Sequence, residues 1–277
     1  MKDTEIKKSV REGYARVARE KSSCCGPKDC DCSGTASARD VSRRIGYSED
    51  EMNAVPEGAN LGLGCGNPVA LASLRTGETV LDLGSGAGFD CFLAAKQVGE
   101  TGRVIGVDMT PEMIDKARGN AARGHYNNVE FRLGEIENLP AADNTADVII
   151  SNCVINLAPD KKRVFNEAFR VLKPGGRLMV SDIVLTQALP ADVMASVQAY
   201  IGCVAGAAVK GDYLSAVKGA GFEDIKTIEE STFAAENIIA DPAALAILES
   251  LKMTPERVRE LASTIKSVRV QAVKPGR

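Results

Sequence analysis

Val80-Leu-Asp82-Leu-Gly84-Ser85-Gly86-Ala-Gly88-Phe89 decides the fold. An apolar strand runs straight into a glycine-rich turn, and a helical segment follows. Glycines let such a turn tighten and let a ligand approach the backbone, while the N–H groups that open the next helix have no intrahelical partner. The unit therefore reads as strand, ligand-binding turn and helix. Its spacing is G-x-G-x-G. The dinucleotide fingerprint asks for glycine where this chain has Phe89, which disfavours a nicotinamide cofactor.

Outward from this unit the pattern is regular. Apolar periodicity predicts strands over 79–83, 103–107, 129–132, 147–151, 177–183, 224–230 and 267–272. Helices are expected between them over 87–97, from the Thr110-Pro111-Glu112 start, and over 161–172, 190–208 and 212–220. Strands alternating with helices signal a mostly parallel sheet, an α/β fold. The Thr110-Pro111 pair combines an N-cap residue with proline at the first helical position. Lys173-Pro-Gly-Gly176 stops the helix before the fifth strand. A helix over 5–21 opens the chain, another is expected over 38–45, and 237–265 has helical character. Three stretches follow from this: an N-terminal cysteine-bearing arm (1–69), the regular α/β region (70–232) and a helical C-terminal extension with the last strand (233–277).

Composition narrows the function. Among 277 residues, 34 basic groups face 37 acidic ones and aromatics are only 4%, so no nucleic-acid or membrane partner is expected. The charged first twenty residues carry no signal-peptide core, which places the expected location in the cytosol. The expected state is a monomer. Eight cysteines in such a chain point to catalysis or metal binding more than to disulfides. The one histidine, His125, leaves no histidine-centred triad. Chemistry here is expected to run on sulfur or carboxylate.

Asp108 ends the second strand, where an acid can accept hydrogen bonds from ribose hydroxyls. Asp82 and Asp108 also suit a cationic ligand better than a pyrophosphate. Gly134-Glu135-Ile136-Glu137 follows the third strand and is placed to meet an adenine. The segment resembles the class I S-adenosylmethionine methyltransferases over 75–230. Asp82, Gly84, Gly86 and Gly88 fall on that family's first motif, Asp108 on its second, and Lys173-Pro174-Gly175-Gly176 on its turn before the fifth strand. The resemblance implies a Rossmann-like sheet of seven strands and S-adenosyl-L-methionine as cofactor. Its implied binding set is Asp82, Gly84, Ser85, Gly86, Gly88, Asp108, Met109, Glu135, Ile136, Glu137 and Asn152. It also implies that the first and fourth strands are neighbours, which would put Cys153 near the transferred methyl group.

The cysteines carry a narrower resemblance. Gly46-Tyr47, the loop Val55-Pro-Glu57-Gly-Ala-Asn60-Leu-Gly-Leu-Gly-Cys65-Gly-Asn-Pro68, Ser151-Asn-Cys153-Val-Ile-Asn156 and Gly202-Cys203 look like the arsenite S-adenosylmethionine methyltransferases, over 14–221. In that family the positions matching Cys65, Cys153 and Cys203 bind trivalent arsenic. A further cysteine, falling here at Cys24-Cys25, takes part in thiol–disulfide steps reset by a thiol reductant such as thioredoxin or glutathione. Two features depart from the pattern: Cys30 and Cys32 are additional, and the chain ends soon after Ala272 without the longer C-terminal domain of some members. Cys91 is expected to be packing. The competing readings are a quinone or other small-molecule carbon/oxygen methyltransferase, which needs no cysteine trio, and a non-catalytic thiol-rich metalloid-binding protein.

Overall fold

The computed structural model describes residues 3–19, 37–194, 204–232 and 254–276. In chain order these form α1 (Asp3–Arg19), α2 (Ala38–Arg44), α3 (Glu49–Asn53), α4 (Pro68–Leu71), β1 (Thr79–Leu83), α5 (Phe89–Val98), β2 (Arg103–Asp108), α6 (Pro111–Arg123), β3 (Val129–Leu133) and β4 (Ala146–Asn152). A 3-10 turn at Ile155–Leu157 leads to α7 (Lys161–Val171), β5 (Leu172–Leu185), α8 (Ala191–Met194), α9 (Lys210–Gly219), β6 (Glu223–Thr232), α10 (Pro255–Thr264) and β7 (Ile265–Val273). The strands make one seven-stranded sheet in the order β3-β2-β1-β4-β5-β7-β6. The first five run parallel, and β7 is antiparallel to both its neighbours. The mostly parallel sheet is what the strand–helix alternation implied, and its Rossmann-like form with seven strands is what the resemblance implied.

The central strands are apolar on both sides because helices cover both faces. Leu81, Leu83, Ile105 and Ile149 point to one cluster with Phe165 and Tyr213, while Val80, Val104, Val148 and Ile150 point to the other with Phe92 and Met179. Successive residues of β1 thus serve opposite faces, the period of two that a strand imposes.

β1 and β4 pair directly, and the chain winds outward from them in opposite senses. Ligands of such sheets bind at this switch point, beyond the carboxyl ends of the strands. The register brings Leu83 opposite Ser151 and Asn152 opposite Ser181. The glycine turn after β1, the Asn152-Cys153 pair after β4 and Asp182 within β5 therefore share one end of the sheet.

Three expectations change. β5 begins at Leu172, so Lys173–Gly176 is carried within the strand and not in a free turn. The cause is the chain's C-terminal segment: Gly175 N–H donates to Lys274 O, and Lys274 N–H donates to Gly176 O. The helix expected over 190–208 does not reach its end; after α8, residues 204–206 form a turn, and Leu185 N–H donates to Ala208 O at 2.9 Å. Pairing with β5 satisfies that backbone in place of helical bonds. Residues 195–203, and with them Cys203, lie outside the described residues. Finally, β7, assigned in sequence to the 233–277 extension, is an inner strand between β5 and β6. Among the described residues no helix is long and apolar enough to cross a membrane.

Phe165 is fully buried and stands edge-on to Tyr213, with ring centroids 5.3 Å apart. Phe165→Ala should cost about 3–5 kcal/mol of unfolding free energy in urea titrations. A loss below ~1 kcal/mol would mean that α7 does not anchor this face of the sheet.

Candidate active site

The turn after β1 is tied to the end of β2. Gly84 and Ser85 N–H donate to Val107 O at 2.8 and 3.0 Å, and Gly86 N–H donates to one carboxylate oxygen of Asp108 at 3.0 Å. The other Asp108 oxygen accepts from Thr110 N–H at 2.8 Å. Above the turn there is room: a Cβ built on Gly86 would meet nothing within 4 Å. Ser85 Oγ is buried with no partner, and α5 begins without a side-chain cap. An orphaned hydroxyl, an uncapped helix start and open space over a glycine are features a polar ligand completes. The hydroxyls and amino-acid group of S-adenosylmethionine fit this set.

Asp82 lies beneath the turn and is almost wholly buried, accepting from the Cys91 thiol at 3.2 Å. Cys91 is fully buried, as a packing residue would be, and its hydrogen bond to Asp82 is a contact the sequence did not show. Glu135 and Glu137 form ion pairs with Lys7 of α1, at 2.7 and 3.1 Å, and Ile136 is buried beside them. Arg11 adds a longer contact to Glu135 at 3.5 Å. The N-terminal helix thus lies across the loop after β3.

Cys65 and Cys153 come together from distant parts of the sequence. Their sulfurs and a carboxylate oxygen of Asp182 all lie within 4.8 Å of one another, and all three residues are buried. Neither thiol is in a disulfide. Asn152 is the bracket. Its Oδ1 accepts Cys65 N–H at 3.0 Å, and its Nδ2 lies 2.8 Å from Gly66 O, 2.9 Å from Tyr47 Oη and 3.2 Å from an Asp90 oxygen. The Asn152 carboxamide is therefore engaged by protein groups. The glycines flanking Cys65 are needed for this approach, since a Cβ on Gly64 would meet the Asn152 carboxamide at 2.7 Å and one on Gly66 would meet Ser181 Oγ at 2.7 Å. Ser267 on β7 donates to Cys65 O at 2.9 Å and closes the loop from the other side.

Cys153 itself holds a left-handed backbone, φ +57°, and its N–H donates to Ser181 O at 2.8 Å. Non-glycine residues adopt that region at a cost, and the surrounding bonds must hold them there. Val10 of α1, Leu157 and Ile183 pack around the two thiols, and Met109, just past β2, packs on the same cluster. The cofactor turn and the thiols therefore border one another. Cys24, Cys25, Cys30, Cys32 and Cys203 lie outside the described residues.

Sequence reading gave no site role to Asp90, Asp182 and Tyr213, nor to Tyr47 and Asn156, which stand in its cysteine motifs. Tyr47 Oη donates to Asp90 at 2.6 Å, and burial pushes the Asp90 carboxyl up to about 6. Burial, with Asp90 close by, also holds the Asp82 carboxyl well above the usual range. Asp182 accepts from Asn156 Nδ2 at 2.7 Å, Ile183 N–H at 2.9 Å and Tyr213 Oη at 3.1 Å, yet burial still pushes it up to about 7. The available signal was a lone acid in an apolar run, Phe89-Asp-Cys-Phe-Leu93 and Met179-Val-Ser-Asp-Ile-Val-Leu185.

A raised carboxyl pKa means the folded state holds its proton longer than the unfolded chain. The contribution of Asp182 to stability is full below about 4. It is lost as pH rises through about 7. Relative to Asp182→Asn, the native chain should lose unfolding free energy across that window and run parallel to the variant above it. Parallel denaturation curves from pH 4 to 8 would show that Asp182 is not strained by its burial.

A methyltransferase-domain family profile matches residues 74–234. A curated arsenite methyltransferase of Halobacterium salinarum is 53% identical over 236 residues, covering 82% of this chain and 60% of that protein. The Homo sapiens arsenite methyltransferase is 35% identical, covering 75% of this chain and 55% of its own length. The chain thus spans a little over half the length of these relatives. The crystal structure of an arsenic(III) S-adenosylmethionine methyltransferase from Chlamydomonas reinhardtii superposes with a TM-score of 0.62 at 32% identity, covering 85% of this chain and 74% of that one. With its glycine turn, its bordering thiols and these likenesses, the chain belongs to the methyltransferase-domain family and, within it, to the arsenite S-adenosylmethionine methyltransferases.

Proposed function

We propose that this protein methylates trivalent arsenic held by cysteine thiolates, with S-adenosylmethionine as methyl donor. The observation that carries the reading is the meeting of Cys65 and Cys153 beside the glycine turn, with their sulfurs inside the 4.8 Å cluster. Soft thiolates are the ligands that soft ions select. Cys203 is the third thiolate of the proposed set. When bound, S-adenosylmethionine supplies an electrophilic methyl group, which the lone pair of arsenic can take without a general base.

The chain's own groups then have three tasks. Gly86, Asp108 and Ser85 hold the donor at the end of β1, and a sulfonium cation beside the buried carboxyls Asp82, Asp90 and Asp108 would favour their ionised forms. Asn152 and the glycines flanking Cys65 fix one thiol, and the Cys153 backbone fixes the other. α1 and the apolar residues around the thiols exclude water. Such alignment can remove roughly 7–11 kcal/mol of barrier. Methyl transfer formally oxidises arsenic by two electrons. Two thiols passing to a disulfide return those electrons and release two protons, with Cys24 or Cys25 serving this step. Thioredoxin or glutathione then resets the disulfide by exchange. The biological role that follows is arsenic detoxification.

Cys65→Ser, Cys153→Ser and Cys203→Ser should each abolish methylation of arsenite and leave donor binding nearly unchanged, because serine keeps the shape and removes the soft ligand. Cys91→Ser keeps a hydrogen-bond donor to Asp82 and should be milder. Mass spectrometry of products under saturating donor is the measurement. Retention of more than about a tenth of native turnover puts less than ~1.4 kcal/mol at stake and would discard the arsenic reading.

Asp108→Ala should weaken S-adenosylmethionine binding by roughly 1–3 kcal/mol, the scale of a lost charge-assisted hydrogen bond. Calorimetry on the folded variant decides this, and unchanged affinity would remove Asp108 from the donor site.

A further inference from the structure

Asp182 is a carboxylate in the thiol pocket that trivalent arsenic does not select as a ligand. Trivalent arsenic prefers thiolate ligands, and three of them neutralise it, so it has no call on a carboxylate. Yet this carboxylate is built into the pocket with care. Its Oδ1 accepts from Asn156 Nδ2 and Ile183 N–H, and its Oδ2 accepts from Tyr213 Oη at 3.1 Å. Donors of this kind orient a ligating carboxylate in metal sites. The Cys153 thiol is a further donor to this carboxylate, so a sulfur and an oxygen ligand already meet here.

We infer that the pocket is also a site for a divalent thiophilic cation, Zn2+ or Cd2+, with Cys65 and Cys153 as sulfur ligands and Asp182 as the oxygen ligand. The three donor atoms already lie within 4.8 Å of one another. Tetrahedral zinc at ordinary bond lengths sets sulfur and oxygen ligands about 3.5–3.8 Å apart, inside that limit. Charge separates the two guests. Two thiolates and one carboxylate balance a divalent cation to a single residual negative charge. The neutral tris-thiolate of arsenic brings no net positive charge for the carboxylate to face. Loading the cation releases the two thiol protons to solvent and changes no oxidation state. Because the sulfurs are shared, cation and arsenite exclude one another, and the cation blocks methyl transfer.

The test uses the reduced full-length chain, titrated with cadmium and followed by the thiolate-to-cadmium charge-transfer band, with arsenite as competitor. Cys24, Cys25, Cys30 and Cys32 can also take cadmium, so the titration is repeated with all four replaced by serine. One arsenite-displaceable cadmium per chain is expected in that background. Asp182→Asn should weaken it by about 10–100-fold while arsenite affinity changes far less. Unchanged cadmium affinity in Asp182→Asn, or cadmium and arsenite bound together, overturns the inference. Should that variant fail to fold, Cys65→Ser and Cys153→Ser must each lose the displaceable cadmium, and its retention in either is equally fatal. Failure of the arsenic reading looks different: cadmium binding would still depend on Asp182, while the native chain formed no methylated arsenic.

Discussion

The parallel pairing of β4 with β1 on one side and β5 on the other sets Leu83 opposite Ser151 and Asn152 opposite Ser181. β1 and β4 end at that level while β5 runs past it, so the glycine turn, Asn152-Cys153 and Asp182 are delivered to one place by backbone register alone. Nothing in the local sequence of any one segment could do this. The side chains then complete what the register begins. Asn152 reaches back across the gap and holds the Cys65 loop by both ends of its carboxamide. The parts of the site hang from the deeply buried strands of the sheet.

Burial of charge is the second constraint. Asp82, Asp90 and Asp182 are all removed from water, and every one is held above the ordinary carboxyl range. A buried carboxylate is costly unless it is hydrogen-bonded or compensated. Each of these acids has partners: a thiol for Asp82, Tyr47 and Asn152 for Asp90, and Asn156, Tyr213 and a backbone N–H for Asp182. The partners lower the cost without removing it. A pocket so built favours guests that bring positive charge.

The N-terminal helix belongs to the same arrangement. Lys7 joins it to the loop after β3 through Glu135 and Glu137, while Val10 packs in the cluster that contains the two thiols. One helix therefore bears on both halves of the site. The acids that the sequence offered for adenine recognition are engaged with this helix, which ties the arm to the α/β region. β7 does the same from the other terminus, since Ser267 holds the Cys65 carbonyl.

The order of strands, the glycine turn with its terminal acid and the distinctive contexts of Cys65 and Cys153 were legible in sequence. Each is a local property: periodicity follows from residues two or four apart, and a turn's chemistry from a few consecutive ones. Element ends were less legible. The extent of β5 depends on Lys274 far along the chain, and Ala208, expected in a helix, accepts Leu185 N–H instead. The site was half legible. Cys65 and Cys153 announced themselves by their neighbours, and Gly64 and Gly66 were visible as a flexible loop. That those glycines exist to admit Asn152 and Ser181 could be known only from the packing. Asp182, Asn156 and Tyr213 carry no local mark of function beyond an acid in an apolar strand. They gather because β5, the turn after β4 and α9 are stacked by the sheet, and proximity between distant segments is decided by tertiary structure alone.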